Sequence, residues 1–134
     1  MAYCNRAYAY GEMKQYDMAI ADYDTAIRSD PSFANAFILR GYTFNILKRW
    51  NDAIQDFTEA MRLAPSDVRS YNNRGFSMLA LKNYEYALKD LTKAIELDVA
   101  GKYENAYCHR AFLYTQIGNI EQVLKFDMIK SHFH

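Results

Sequence analysis

Cysteine is scarce. Two among 134 residues are too few for a disulfide framework and suit a reducing compartment. Net charge is absent as well: sixteen Lys+Arg balance sixteen Asp+Glu. The broad attraction that drives non-specific binding to nucleic acid or an anionic membrane is therefore missing, and no nucleic-acid partner is expected. No uncharged apolar run approaches the ~18–20 residues that span a bilayer. The start, Met1-Ala2-Tyr3-Cys4-Asn5-Arg6, has no basic segment followed by an apolar stretch. The chain reads as cytoplasmic, with no membrane partner. There is no glycine-rich phosphate loop and no CxxC or HExxH spacing, and of three histidines two, His132 and His134, sit at the terminus, where two imidazoles without further ligands make a weak metal site. The expectation is a non-enzymatic protein with no metal and no cofactor.

What is present is a core-forming composition, 51% hydrophobic and 16% aromatic, as expected of one globular domain and not of a disordered tail. It is arranged periodically. Asn5-Arg6-Ala7-Tyr8, Leu39-Arg40-Gly41-Tyr42, Asn73-Arg74-Gly75-Phe76 and His109-Arg110-Ala111-Phe112 recur with their arginines 34, 34 and 36 residues apart. Further rows follow in register: Ala19-Ile20, Ala53-Ile54 and Ala87-Leu88, then Ala26, Ala60 and Ala94, then Pro31 and Pro65.

Within a copy, Tyr3, Ala7 and Tyr10 share one helical stripe, and so do Tyr16, Ala19, Ile20, Tyr23 and Ala26. Each copy therefore predicts two amphipathic helices. The breaks between them are Lys14-Gln15, Lys48-Arg49, Lys82-Asn83 and Gly118-Asn119; Ser29-Asp30-Pro31 and Leu63-Ala64-Pro65 close the copies, because proline cannot continue a helix. The small residues Ala7, Gly41, Gly75 and Ala111, with Ala19, Ala53 and Ala87 opposite, let the paired helices approach closely. Rows of large residues fill the space beside them: Tyr3, Phe37, Tyr71 and Tyr107, and Tyr16, Trp50 and Tyr84. Each buries roughly 150–250 Å² when packed, which accounts for the aromatic content without a ligand.

These rows at this period resemble the tetratricopeptide repeat family over the whole chain. The resemblance implies an all-α fold: a right-handed α-solenoid of four helix-turn-helix repeats, eight helices in all. The chain, 1–134, is then one domain with repeats at about 1–33, 34–67, 68–101 and 104–134. An RNA-binding helical repeat is set aside by the zero net charge and by the aromatic, small and proline rows.

Two departures stand out. The third-to-fourth connection, Asp98 to Tyr103, is two residues longer than its predecessors and lacks the proline, which predicts a local bend. In the last helix Ile120 and Val123 continue the first rows, whereas Asp127, Met128 and Ser131 fit the later rows only after a one-residue insertion. No capping helix is visible at either end, so the ends are expected to meet the rest of a longer array, a partner or another copy.

Arg6, Arg40, Arg74 and Arg110 stand where the family usually has an aliphatic residue, and Asp22, Asp56 and Asp90 follow the first three by sixteen residues. A guanidinium fork takes a carboxylate bidentately, so repeated Arg–Asp pairs between helices are expected; the alternative is that some of these arginines meet an acidic ligand.

At about 100° per residue, the first helix of each copy has a second face that is too apolar for plain solvent. The resemblance implies that this face lines a concave peptide groove. Its candidate lining is Tyr8, Ile38, Tyr42, Asn72, Asn73, Phe76, Cys108, His109 and Phe112, with Tyr8, Tyr42, Phe76 and Phe112 as an aromatic ladder. The alternative is that the ladder only packs neighbouring helices together. The lysine, asparagine and arginine clamp by which some members grip a C-terminal carboxylate is not assembled, since no lysine appears on these rows and Asn73 and Arg69 stand isolated. A neutral aromatic groove dotted with amides suits an extended or helical segment with apolar side chains. Cys4 and Cys108 lie three repeat steps of ~8–10 Å apart, beyond the reach of a disulfide within one molecule. The function expected is protein–protein interaction through a peptide segment bound in the groove, in a scaffold or adaptor role. The alternative is an architectural segment that belongs to a longer array or self-associates through its uncapped terminal helices.

Overall fold

The computed structural model describes residues 15–102 and 104–132, residues 122–132 by their backbone. The described residues form six helices and no strand: α1 (Tyr16–Ser29), α2 (Ala34–Ile46), α3 (Trp50–Leu63), α4 (Val68–Ala80), α5 (Tyr84–Leu97) and α6 (Glu104–His132). Sequential helices pack on one another, α2 on α3, α3 on α4 and α4 on α5, so the architecture is an all-helical solenoid. The expected first helix, with Tyr3, Cys4, Arg6, Ala7 and Tyr8, lies outside the described residues.

Close approach sets the pairing. An ideal Cβ on Gly41 would lie 2.7 Å from the Phe57 ring, and one on Gly75 would lie 2.8 Å from Leu91, so only glycine lets α2 meet α3 and α4 meet α5 at these distances. Ala53 and Phe57, and Ala87 and Leu91, are completely buried along the same seams, and Ala19 is completely buried on α1. The Arg–Asp row also forms. Arg40 donates through Nε and Nη2 to Asp56 at 2.8 and 2.7 Å and through Nη1 to Asp24 at 2.6 Å. Arg74 donates to Asp90 at 2.8 and 2.7 Å and to the Thr58 hydroxyl at 3.2 Å. Two of the three described arginines thus hold an aspartate within their own helix pair, and the row is structural there. Hydrogen bonding to Asp56 keeps the Arg40 guanidinium charged, while burial pushes the Asp56 carboxyl above its ordinary range despite that partner.

The turns within each pair share one hydrogen-bond pattern. Lys48 N donates to Asn45 O and Arg49 N to Phe44 O; Lys82 N donates to Leu79 O and Asn83 N to Met78 O. This is the 5→2 and 6→1 closure that favours a left-handed residue, usually glycine, at its centre. Here lysines fill it, Lys48 at φ 60° and Lys82 at φ 62°.

The fourth helix pair is not formed, and this corrects the expectation of eight helices in four repeats. Where a turn was expected at Gly118-Asn119, α6 runs unbroken from Glu104 to His132. Gly118 holds the register of Lys48 and Lys82, and a Cβ there would meet nothing within 4 Å. The reason lies in what should follow the turn. Thirty-six residues on from Ala87 and Asp90 stand Val123 and Phe126, so in direct register a returning helix brings a branched side chain to the closest crossing and no carboxylate to Arg110. The continuous helix keeps its own i→i−4 hydrogen bonds instead. The longer connection before it turns at Gly101, φ 64°, with Lys102 N donating to Asp98 Oδ1 at 3.1 Å.

Candidate functional site

The first helices of successive pairs, α2, α4 and α6, flank a hollow of about 390 Å³ lined by Tyr42, Asn45, Ile46, Lys48, Trp50, Asn72, Asn73, Phe76, Asn105 and His109. Tyr42 is 50% exposed and Phe76 36%, so both rings present a face to ligand-sized space and do not vanish into helix packing. Phe76 is held from two sides. Trp50 meets it edge-on at 5.8 Å between ring centres, and His109 lies 5.0 Å away, tilted by 37°.

The polar side chains of the hollow are tied to one another. His109 Nδ1 lies 3.0 Å from Asn72 Oδ1, and Asn72 Nδ2 donates to Asn73 Oδ1 at 3.4 Å. With Nδ1–H given to the amide oxygen, Nε2 is the nitrogen left for the hollow. Burial holds the His109 imidazole below its ordinary pKa, so the neutral ring is the form present at neutral pH. Beneath them the Ser77 hydroxyl donates to Asn45 Oδ1 at 2.6 Å, and Asn45 Nδ2 donates to the Asn73 carbonyl at 3.3 Å, which ties α2 to α4. A surface built this way offers aromatic faces for apolar side chains and fixed amide and imidazole groups for a peptide backbone.

The expected site residues divide. Tyr42, Asn72, Asn73, Phe76 and His109 come together around the hollow. Phe112 is 53% exposed and Cys108 is an exposed free thiol, both on α6 outside that lining. Tyr8 lies outside the described residues. Ile38 is a correction: at 2% exposure it is core, clustered with Phe37 and Ala60 and with Ile27 and Leu63 against them. The neighbours decide this: Ala60 and Leu63 of α3 and Ile27 of α1 close over Ile38, and burying its apolar surface there is favourable. Trp50, Lys48 and Asn45 were missed. Trp50 follows the turn and reads as packing by its row, and Lys48 sits in the turn with a left-handed backbone, outside any helix stripe that would place it at the hollow. Arg69 is engaged, by Asp67 at 2.7 Å and Asn35 at 2.9 Å. Among the described residues no group of three His, Cys, Asp or Glu side chains could hold a metal ion, and no helix is long and apolar enough to cross a membrane.

Family profiles described as tetratricopeptide repeat match residues 1–33 and residues 68–98. No curated protein matches the chain in sequence. Among solved structures it is similar to the TPR domain of Arabidopsis OM64, at 26% identity and a TM-score of 0.81 over 86% of this chain and 93% of that one. It is similar to the first TPR of Spaghetti (RPAP3), bound to the HSP90 peptide SRMEEVD, at 25% identity and a TM-score of 0.80 over 87% of this chain and 91% of that one. The Sgt2 TPR domain from Aspergillus fumigatus has the same fold, with a TM-score of 0.86 at 17% identity over 90% of this chain and 80% of that one.

Proposed function

We propose that this chain, which belongs to the tetratricopeptide repeat family, is a non-enzymatic interaction module that holds a peptide segment of a partner protein between α2, α4 and α6. The observation that carries the reading is the pair of half-open rings, Tyr42 and Phe76, lining one hollow together with Trp50 and Ile46 and with the amides of Asn45, Asn72, Asn73 and Asn105 and the imidazole of His109. A hollow of about 390 Å³ takes one or two side chains of an extended or helical segment, and the amides meet its backbone. The similar domain solved with an HSP90 peptide supports a peptide as the class of ligand.

The partner segment is apolar and not an acidic tail. Among the described residues Lys48 is the one cation lining the hollow, and the Arg69 fork is taken by Asp67 and Asn35. The module serves as an adaptor or scaffold in the cytoplasm. A second reading, an array segment or self-associating unit, is favoured by the uncovered face of α6.

A peptide-library screen on the purified chain tests the first reading, run beside a Tyr42→Ala/Phe76→Ala variant checked for intact helical content. Each truncated anchor should cost on the order of 1–3 kcal/mol in binding. Hits lost in the variant support the groove; an absence of hits, or hits indifferent to the variant, overturns it. A peptide ending in SRMEEVD that binds as tightly as the apolar hits overturns the choice of segment.

A further inference from the structure

The geometry points to an amphipathic helix of a partner protein as the cover for α6: the stripe Tyr107, Arg110, Ala111 and Tyr114 is an open seat for a helix that carries alanine, aspartate and alanine at the spacing found in α3 and α5.

Two filled seats in this chain show what an occupant must carry. On α2, Phe37, Gly41 and Phe44 are buried, and α3 covers them with Ala53, Asp56 and Ala60. On α4 the cover is α5, with Ala87, Asp90 and Ala94. Both covering helices read Ala-x-x-Asp-x-x-x-Ala, with the alanines buried and the aspartate on the arginine fork, Asp56 with Arg40 and Asp90 with Arg74.

The same seat stands open on α6. Tyr107 is 45% exposed, Tyr114 is 52% exposed and Ala111 is exposed between them. Arg110 meets no carboxylate among the described residues, yet its guanidinium is already set for one. It stands 6.0 Å from the ring of Tyr114, four residues on, as the Arg40 guanidinium stands 5.9 Å from the ring of Phe44 while it holds Asp56. A fork held in that place takes a carboxylate in two parallel hydrogen bonds without first being ordered. No helix folds back to supply one, since α6 continues unbroken to His132. At 100° per residue the stripe lies opposite Asn105 and His109, so this seat is a different surface from the hollow.

One difference narrows the occupant further. Gly41 and Gly75 admit Phe57 and Leu91, the residues that follow Asp56 and Asp90, and a Cβ on either glycine would lie 2.7 or 2.8 Å from them. Ala111 carries that Cβ, so the residue after the occupant's aspartate must be smaller than phenylalanine or leucine. The partner segment is therefore a helix with Ala-x-x-Asp, then a small residue, then alanine three positions later, laid between the rings of Tyr107 and Tyr114.

The probe is a labelled peptide of the α5 sequence, Tyr84–Leu97, with Leu91→Ala. A helix this short is marginal alone, so a lactam joins Glu85 to Lys89, exposed residues four apart that stay off the seam. Fluorescence anisotropy with the full chain is expected to show binding. Arg110→Asp in the chain and Asp90→Arg in the peptide should each weaken it at least about tenfold, and the two together should restore it. A peptide that keeps Leu91 should bind more weakly, and Ala111→Gly should recover it. The Tyr42→Ala/Phe76→Ala variant must still bind the peptide, which separates this seat from the hollow. Absence of binding, binding indifferent to Arg110, or a double reversal that restores nothing overturns the proposal. A chain that sediments alone as a dimer and is made monomeric by Arg110→Asp puts a second copy in the seat and overturns the partner helix. Should Arg110→Asp lose helical content, Ala111→Trp blocks the seat at an exposed position; it must abolish binding, and a folded variant that still binds refutes the seat.

Discussion

Gly41→Ala adds a single methyl group at the point where two helices come closest. Its Cβ would stand 2.7 Å from Cε1, 2.9 Å from Cζ and 3.0 Å from Cδ1 of Phe57, against about 3.5–4.0 Å for carbons in ordinary contact. Phe57 is fully buried, so its ring has nowhere to retreat and α2 must move off α3. Overpacking of this kind costs about 1–3 kcal/mol, and a rigid ring met by three atoms belongs in the upper half of that range. Alanine gains about 1 kcal/mol over glycine in a helix interior, leaving a net loss of about 1–2 kcal/mol. Gly118→Ala is the internal control. Its Cβ meets nothing within 4 Å, so only the propensity gain of about 1 kcal/mol remains and the sign reverses. Urea unfolding followed by far-ultraviolet circular dichroism reads both. In a Phe57→Ala background the obstacle is gone, and Gly41→Ala should turn from harmful to mildly stabilising. Equal effects at Gly41 and Gly118, or a loss at Gly41 that survives removal of the ring, would refute close approach as the reason for the glycine row.

Arg40→Leu strands Asp56, which is 4% exposed, and should cost roughly 3 kcal/mol at neutral pH, measured by urea unfolding. Burial already raises the Asp56 carboxyl, and losing the guanidinium raises it further; a folded state that binds the proton more tightly than the unfolded chain gains relative stability on acidification, so the deficit against wild type should shrink as pH falls through that raised value. A deficit that is flat with pH would place the loss in packing instead. Lys48→Gly relieves a left-handed lysine and should raise stability by about 1 kcal/mol, with the thermal midpoint as the readout. Ser70→Ala should also stabilise, by about 1 kcal/mol, because the Ser70 hydroxyl is fully buried with no hydrogen-bond partner and stands in a row with Ala36 and Ala106. His109 has a lowered pKa through burial, so its contribution is complete above its ordinary value of 6.5 and is lost as pH falls through the lower folded value; His109→Gln should flatten that part of the stability profile.

Much of the fold is legible because each rule acts between residues of fixed spacing. The breaks read at Gln15, Lys48-Arg49 and Lys82-Asn83 fall at the starts of α1, α3 and α5, and the closures before Pro31 and Pro65 fall at the ends of α1 and α3. The Arg–Asp row was legible for the same reason, as two side chains sixteen residues apart across a helical hairpin. Gly118 shows the limit. Glycine permits a left-handed turn but does not impose one, while Lys48 and Lys82 adopt that conformation against their intrinsic preference. What holds the turn is the seat of the returning helix: Ala53 and Asp56 in one pair, Ala87 and Asp90 in the next. Where Val123 and Phe126 take those places in register, the seat fails and the helix continues.

The candidate site was legible by row and not by exposure. Ile38, Asn72 and Cys108 hold one position in three successive helices, yet Ile38 is 2% exposed, Asn72 is 1% exposed and Cys108 is open. Composition does not order them so, since the amide is as buried as the isoleucine. The difference is the neighbour: Ile38 is enclosed by Phe37 and Ala60, and Asn72 is capped by His109 from α6, whereas none of the core clusters reaches Cys108. In a stacked array a helix face becomes wall, floor or open surface according to the layer that follows it. Tyr42 and Phe76, the proposed anchors, keep open faces because α4 and α6 stand beside them without covering them. The uncovered stripe of α6, built from the same rows, asks for the layer that this chain does not fold back to supply.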